Sequence, residues 1–275
     1  METVSTAVSH GGVQGVYRHE AQTVGCEMTF AVFMPPNGTG PVPALWYLSG
    51  LTCSHANVME KGEYRRTAAE LGIAIICPDT SPRGADVPDE ADNWQFGSGA
   101  GFYLDATETP YDKHYQMYSY ILGELSELVA ANFAIDISRQ GIFGHSMGGH
   151  GALVMALKNP ERFKSCSAFA PIVNPMTADW SATAFGKYLG DDMADWRKYD
   201  AVALIEDGKK VSDLLVDQGD ADSFLESGLR PWLLEAACQN ADINLTLRMQ
   251  KGYDHSYFFI STFMDDHLRW HAARL

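Results

Sequence analysis

GIFGHSMGGHGALV, residues 141–154, carries the clearest structural signal in the chain. At its centre Ser146 has a glycine two positions to either side, the spacing G-x-S-x-G. The residues before it are typical of a strand end and those after it of a helix, the setting in which this motif forms a sharp strand-to-helix turn. Glycine on both sides lets strand and helix pass closely, since a Cβ there would clash. The motif predicts that Ser146 presents an exposed hydroxyl at a strained bend.

The helix that starts at this bend has its first N–H groups directed at the serine hydroxyl. We therefore expect the backbone amide of Met147 to stabilise negative charge that develops on a substrate oxygen. The alternative is that the glycines and the serine only form a tight turn between two elements.

The rest of the chain predicts an α/β fold with a mostly parallel central sheet and helices on both faces. Candidate strands are followed by segments of helical period; the strands are 73–77, 140–143, 165–169, 211–216 and 244–249, and the helices 113–133, 152–158 and 256–275. Two earlier runs, 24–34 and 42–48, are separated by PPNGTGP, which is too short for a crossover helix. They predict an antiparallel hairpin at one edge of the sheet. The length of 275 residues fits a single domain, 1–275.

Composition excludes several classes of function. There are 20 basic and 35 acidic side chains, a net charge of −15, and no Lys/Arg-rich stretch, so a nucleic-acid partner is not expected. No apolar run is long enough to span a membrane, and the N-terminus does not resemble a secretion signal, so we expect a soluble cytoplasmic protein. The five cysteines include no C-x-x-C pair, and no motif implies a metal or a cofactor.

A serine nucleophile needs a histidine to take its proton. Three histidines follow the elbow helix. His267 and His271 fall inside the predicted closing helix, whereas His255 lies in a loop after a strand, at the sheet edge where α/β proteins place their chemistry. His255 is the predicted base; the alternative is a histidine that caps the next helix.

The carboxylate that orients this base is expected in the loop after strand 211–216. Asp217, Asp220 and Asp222 are all candidates there, and Asp222 is only modestly favoured because it lies furthest into the loop.

Two long segments, 79–109 and 174–200, are rich in glycine, proline, polar and aromatic residues. We expect both to be irregular and to cover the active site. Within them Trp94, Phe102 and Trp180 are candidate walls of a substrate pocket, although packing in the core is an equal alternative for each.

Four separate blocks resemble the S-formylglutathione hydrolases (esterase D family), which have an α/β-hydrolase fold. The blocks are WYLSGLTC (46–53), GHSMGGHGAL (144–153), DQG followed by Asp222, Phe224 and Leu225, and GYDHSYFFI (252–260). The chain departs from the family at Phe258, where a tyrosine is common.

The resemblance implies a triad of Ser146, Asp222 and His255 and an oxyanion hole formed by the N–H groups of Leu51 and Met147. The implied reaction is hydrolysis of S-formylglutathione, the step of formaldehyde detoxification that releases formate and glutathione. A general short-chain carboxylesterase, an acyltransferase and, more remotely, a noncatalytic binding domain are the alternatives.

In the resembling family, a cysteine near position 53 makes activity sensitive to thiol reagents. Cys53 is therefore a candidate for redox modulation, with a small buried apolar residue as the alternative. Lys61 and Arg65 are candidates to bind the carboxylates of glutathione. The sequence does not determine the oligomeric state, and a homodimer is left open.

Overall fold

The structure is a computed structural model that describes residues 1–36, 40–90 and 92–275. Within these residues, nine strands form one sheet in the order β1-β2-β3-β5-β4-β6-β7-β8-β9. The strands are β1 (Glu2–Ser9), β2 (Gly12–Ala21), β3 (Cys26–Met34), β4 (Val42–Leu48), β5 (Ala74–Pro78), β6 (Ile135–His145), β7 (Phe163–Phe169), β8 (Asp213–Gly219) and β9 (Asn244–Gln250).

From β5 to β9 all neighbouring strands are parallel, whereas β1, β2 and β3 form an antiparallel edge that joins β5. The predicted antiparallel edge is confirmed, but the predicted hairpin between β3 and β4 is wrong because β5 lies between them. The short connection makes β3 and β4 close in sequence, but the two strands are not neighbours in the sheet. The apolar β4 instead pairs in parallel with β5 and β6, which buries its last five residues. Of the connection itself, Asn37, Gly38 and Thr39 lie outside the described residues.

Helices cover both faces of the sheet. They are α1 (His55–Lys61), α2 (Arg65–Leu71), α3 (Met117–Tyr120), α4 (Ser126–Asn132), α5 (Met147–Lys158), α6 (Asp179–Leu189), α7 (Met193–Arg197), α8 (Ala201–Glu206), α9 (Pro231–Asn240) and α10 (Tyr257–Ala272). A π-helical turn, Ile121–Leu125, joins α3 to α4, so the helix predicted over 113–133 is present from 117 to 132.

The expectation that 174–200 is irregular is wrong, because α6 and α7 lie within it. Phe185 and Tyr188, three positions apart on α6, are buried against the body of the protein, while polar residues face outward. The Asp192 side chain accepts a hydrogen bond from the Ala194 N–H and begins α7. What looks like a mixed polar and aromatic stretch is therefore an amphipathic cover.

The carboxyl ends of β4, β6, β8 and β9 meet at one edge of the sheet, and each is followed by a predicted site residue. Parallel strands place these loops side by side, so residues far apart in the sequence become neighbours. In the described part of the chain, no helix has both the length and the apolar character needed to cross a bilayer. Among the same residues, no cluster of three or more His, Cys, Asp or Glu side chains could hold a metal ion.

Candidate active site

Ser146 occupies the bend between β6 and α5 in a strained backbone conformation, with φ +57° and ψ −118°. Few residues other than glycine adopt a positive φ, and such strain persists only where the surrounding structure holds it. Here the Ser146 N–H donates to the Phe169 carbonyl at 2.9 Å, which fixes the bend to β7. At Gly148 a Cβ would overlap the carbonyl oxygens of Leu48 and Ser49, so only glycine lets α5 pass this close to β4. This is the local geometry that the motif predicts.

His255 and Asp222 form a direct hydrogen bond between Nδ1 and Oδ2, 2.6 Å long. The Asp222 side chain is fully buried, and it also accepts hydrogen bonds from the Phe224 N–H at 2.9 Å and from Gln218 Nε2 at 3.2 Å. Three donors thus hold the carboxylate in place. A carboxylate fixed on Nδ1 leaves Nε2 of the imidazole free to accept a proton, the geometry that a general base needs.

The two other aspartates considered for this role have different partners. Asp217 binds Arg248 and His267, and the Oδ1 of Asp220 accepts from the Gly252 N–H in the turn after β9. Neither contacts His255 in the described structure.

The loop 49–53, which follows β4, lies beside Ser146. Neither the Leu51 N–H nor the Met147 N–H has an acceptor among the residues described, so both amides are free to donate. Unpaired N–H groups next to a nucleophile are the donors that stabilise a developing oxyanion.

Three hydrogen bonds between the segment 79–109 and the 49–53 loop hold this loop in place. The Thr52 N–H donates to the Gly99 carbonyl at 2.9 Å, Tyr103 Oη donates to the Ser49 carbonyl at 2.8 Å, and Thr80 Oγ1 donates to the Cys53 carbonyl at 2.5 Å. Thr52 also has a positive φ of 65°. The segment 79–109 therefore supports the 49–53 loop as well as covering the site, a role that the sequence did not reveal.

A cavity of about 210 Å³ opens onto Ser146 and His255. Its walls come from the 49–53 loop, from both covering segments and from the loop after β8; they are Gly50, Leu51, Thr52, Trp94, His145, Trp180, Phe224 and Leu229. The rings of Trp94 and Trp180 pack at a tilt of 40° with a centroid distance of 5.8 Å, and the centre of the Phe224 ring lies 5.1 Å from that of the His255 ring. Most of the wall is aromatic or aliphatic, with the polar groups concentrated at the serine.

Trp94 and Trp180 line this cavity, whereas Phe102 does not. Phe102 is fully buried and packs edge-on against His150 and Phe185, beneath the cover. Its prediction as a pocket wall is wrong because its ring fills the core between α5 and α6.

Lys61 and Arg65 lie on α1 and α2 and are not part of the cavity wall. The Arg65 guanidinium donates to the Met59 carbonyl and lies 5.4 Å from the centre of the Tyr64 ring. Any contact of either residue with a substrate would be outside the cavity, and their roles stay predictions.

Cys53 is half-buried at the end of the 49–53 loop. Burial raises the pKa of its thiol, against the smaller opposing effect of the Lys61 charge. Because the thiolate is the reactive form, a raised pKa slows its reaction with alkylating agents. The predicted modulation through Cys53 stays a prediction.

A second set of serine, histidine and aspartate side chains is buried between β7, β8 and α10. In this buried network His271 joins Ser165 at 2.6 Å and Ser167 at 2.8 Å, while His267 joins Ser167 at 2.8 Å and Asp217 at 3.2 Å. Both histidines and Asp217 have no exposed surface. None of these side chains lines the cavity at Ser146, and the two histidines and Asp217 are sealed from solvent.

Known proteins resemble the chain over its whole length. Residues 21–270 match the Esterase family. The chain is 52% identical to the S-formylglutathione hydrolase of Paracoccus denitrificans (strain Pd 1222) over 275 residues, which covers 100% of the chain and 98% of that protein. It is 49% identical to the S-formylglutathione hydrolase of Mus musculus over 279 residues, which covers 100% of the chain and 99% of the relative.

Among solved structures, an S-formylglutathione hydrolase from Agrobacterium tumefaciens superposes with a TM-score of 0.99 at 66% sequence identity, covering 100% of both chains. Similarity at this level extends well beyond the fold to the loops that build the cavity.

Proposed function

The chain belongs to the Esterase family and, within it, to the S-formylglutathione hydrolases, and we propose that it hydrolyses S-formylglutathione to formate and glutathione. In the proposed reaction Ser146 is the nucleophile, His255 the general base and Asp222 the carboxylate that orients it. The observation that carries the proposal is the 2.6 Å bond between His255 and Asp222 at the wall of the cavity that also contains the strained Ser146.

In the first half of the reaction, Oγ of Ser146 transfers its proton to Nε2 of His255 and bonds to the formyl carbon. The carbonyl oxygen becomes an oxyanion, to which the Leu51 and Met147 amides donate. Each such donor contributes about 3 to 4 kcal/mol to stabilising the transition state. The C–S bond then breaks, and the glutathione sulfur takes the proton from His255.

In the second half, water gives a proton to His255 and its oxygen bonds to the same carbon. The C–O bond to Ser146 breaks, Ser146 recovers the proton from His255, and formic acid leaves and loses its proton to solvent to give formate. Asp222 keeps the Nδ1 proton in place throughout and so holds the imidazole in the tautomer that both halves need.

The size and lining of the cavity support a small acyl group. At about 210 Å³ it has room for a formyl or other short acyl group but not for the whole glutathione molecule. The peptide part of the substrate then extends past Trp94, which is 47% exposed at the mouth.

The test compares Ser146→Ala with a matched control, Ser167→Ala, a serine on the neighbouring strand β7 that belongs to the buried network. We expect Ser146→Ala to abolish turnover of S-formylglutathione and labelling by a fluorophosphonate, while Ser167→Ala keeps both. Turnover by folded Ser146→Ala at the wild-type rate would overturn the assignment.

Substrate preference requires a separate measurement. Values of kcat/KM for S-formylglutathione, S-acetylglutathione and 4-nitrophenyl acetate distinguish a formyl thioesterase from a general short-chain carboxylesterase. We expect the formyl thioester to be preferred, because the formyl carbon carries only a hydrogen in place of the acetyl methyl group and the cavity is small. Equal values across the panel would favour the carboxylesterase instead.

Several finer features stay predictions. These are contacts of Lys61 and Arg65 with the glutathione carboxylates, modulation through Cys53, a single-domain chain, a homodimer and a cytoplasmic location. For Cys53, equal sensitivity of wild type and Cys53→Ser to an alkylating agent would remove the idea.

A further inference from the structure

His145, the last residue of β6, is a buried histidine that the proposed reaction does not use. Its side chain is 6% exposed and lies in the wall of the cavity that contains Ser146 and His255. The centre of its ring is 4.4 Å from that of the His255 ring, with 46° between the planes. The proposed base is therefore in contact with a second imidazole.

Hydrogen bonds do not explain why a histidine occupies this buried position. Neither of its ring nitrogens has a partner in the part of the chain that the structure describes. Buried polar atoms without partners are uncommon and carry a cost in stability. An aliphatic side chain would fill the space without that cost, so packing alone does not account for it either.

The ring of His145 is uncharged at neutral pH. Burial, reinforced by the charge of His255, holds the pKa of His145 well below its usual value. The ring also packs behind the 49–53 loop, where a Cβ on Gly50 would lie 3.1 Å from its Nδ1. It thus lies between that loop and His255.

His255 carries a positive charge in each half of the proposed reaction, and few groups surround it. Asp222 bonds to Nδ1, the Phe224 ring lies 5.1 Å away, and the exposed carboxylate of Asp254 adds a weaker interaction. His145 itself faces His255 and the ring of Tyr257, 6.2 Å away. A cation within about 6 Å of an aromatic face is attracted to it, more strongly where water is excluded.

We propose that His145 is a positioning residue for this reaction: its uncharged ring packs against His255 and stabilises the imidazolium that forms when Ser146 gives up its proton. The inference rests on the proposed role of His255 as the base. It assigns the residue before the nucleophile an electrostatic function that acts through His255 rather than on the substrate.

The test measures pH profiles of kcat and kcat/KM for His145→Leu and His145→Gln, which lack the ring, and for His145→Phe, which keeps an aromatic face. We expect the two ringless variants to lose between about 2-fold and 30-fold in kcat with little change in KM. The midpoint of the acidic limb should move to lower pH by about 0.3 to 1.5 units, the shift equivalent to this loss, because the charged form of the base is less stable. His145→Phe should recover most of both effects.

His150→Leu is the matched control. His150 is also fully buried and lies on α5 just after the nucleophile, but it bonds to the Phe102 carbonyl and does not contact His255. It should lower the thermal unfolding midpoint without moving the acidic limb. Thermal unfolding of every variant separates misfolding from loss of function.

Two results would overturn the inference: ringless variants with the wild-type kcat and acidic limb, or a folded His145→Phe as impaired as His145→Leu. Wild type and Ser146→Ala are measured alongside. An active Ser146→Ala would instead contradict the proposed function, so the two failures are distinguishable.

Discussion

The cavity site, which comprises Ser146, His255 and Asp222, and the buried network contain the same three residue types. The two sets differ in the chemistry that they can perform. In the first, Ser146 lies at a strained bend and His255 is 20% exposed. In the second, His267 and His271 bridge Ser165, Ser167 and Asp217 with no exposed histidine surface. The cavity site lies past the carboxyl ends of the strands, whereas the buried network lies between α10 and strands β7 and β8 of the sheet.

Residue type therefore does not distinguish the two sets, whereas backbone strain and access to the cavity do. The serines of the network lie in regular strand β7, and their hydroxyls are bonded to histidines that no substrate reaches. Burial lowers the pKa values of both network histidines, so they remain neutral at physiological pH. With neutral histidines whose ring nitrogens all have hydrogen-bond partners, this network stabilises the packing of α10 on the sheet.

The largest expected contrast is between Asp222→Asn and Asp217→Asn. An amide at 222 no longer holds His255 in the required tautomer, so kcat should fall by roughly 10,000-fold, as in other serine hydrolase triads. Asp217→Asn should change kcat of the folded protein by less than about threefold, because Asp217 reaches no reacting atom. Steady-state kinetics at 15–20 °C, well below unfolding, checks both. A large loss of kcat in folded Asp217→Asn would erase the distinction between the two sets.

The same two variants should rank in the opposite order in their effect on stability. Asp217→Asn should lower the unfolding free energy more than Asp222→Asn. Asp217 is buried and paired with Arg248, itself about one-third exposed, through bonds of 2.5 and 2.6 Å. Removing the charge leaves Arg248 with only the exposed carboxylate of Asp266 as an ion-pair partner, which should cost up to about 3 kcal/mol of unfolding free energy. Asp222→Asn should cost less. Urea unfolding gives both values, and an Asp217→Asn as stable as wild type would contradict the structural role.

Acid should destabilise the protein through the network histidines. Burial lowers their folded-state pKa values, so below about pH 6.5 the unfolded chain binds protons that the folded chain does not. The contribution of the neutral histidines to the free energy of unfolding is then fully present above that pH and is lost as the pH falls. His271→Leu should reduce this loss by up to about 1.4 kcal/mol per pH unit between roughly pH 5 and 6. Urea unfolding at several pH values tests it; parallel curves for the two proteins would refute the assignment.

The smallest expected effects belong to the two serines of the network, and Ser167→Ala should be the larger of the two. This change removes the hydroxyl between His267 and His271 and leaves one nitrogen on each without that partner. A loss of about 1 to 3 kcal/mol in unfolding free energy is expected, with kcat within about twofold of wild type. Ser165→Ala, which affects His271 alone, should be milder. Equal effects of the two changes would mean that the bridge through Ser167 contributes nothing.

Much of the fold followed from local patterns. The alternation of apolar runs and helical segments predicted the parallel strands and the closing helix, which are present as β5 to β9 and α10. Strand neighbours were harder: the short turn after β3 suggested a hairpin, but long-range pairing of β4 with β5 and β6 decided the order. Likewise, the amphipathic character of α6 was hidden among polar residues until the body of the protein supplied a surface for Phe185 and Tyr188 to pack on.

By itself, the sequence determined the bend at Ser146, because G-x-S-x-G is a local steric requirement, and it singled out His255, because chain order and loop position do not depend on distant contacts. Only the tertiary structure brought Trp94 and Trp180 together, removed Phe102 from the cavity and placed His145 against His255. For Asp222, which the family resemblance already favoured over Asp217 and Asp220, it supplied the hydrogen bond to His255. Those outcomes depend on which loops meet at the sheet edge and which side chains lose contact with water. Such contacts join residues up to 110 positions apart, as with His145 and His255, and no local pattern encodes them.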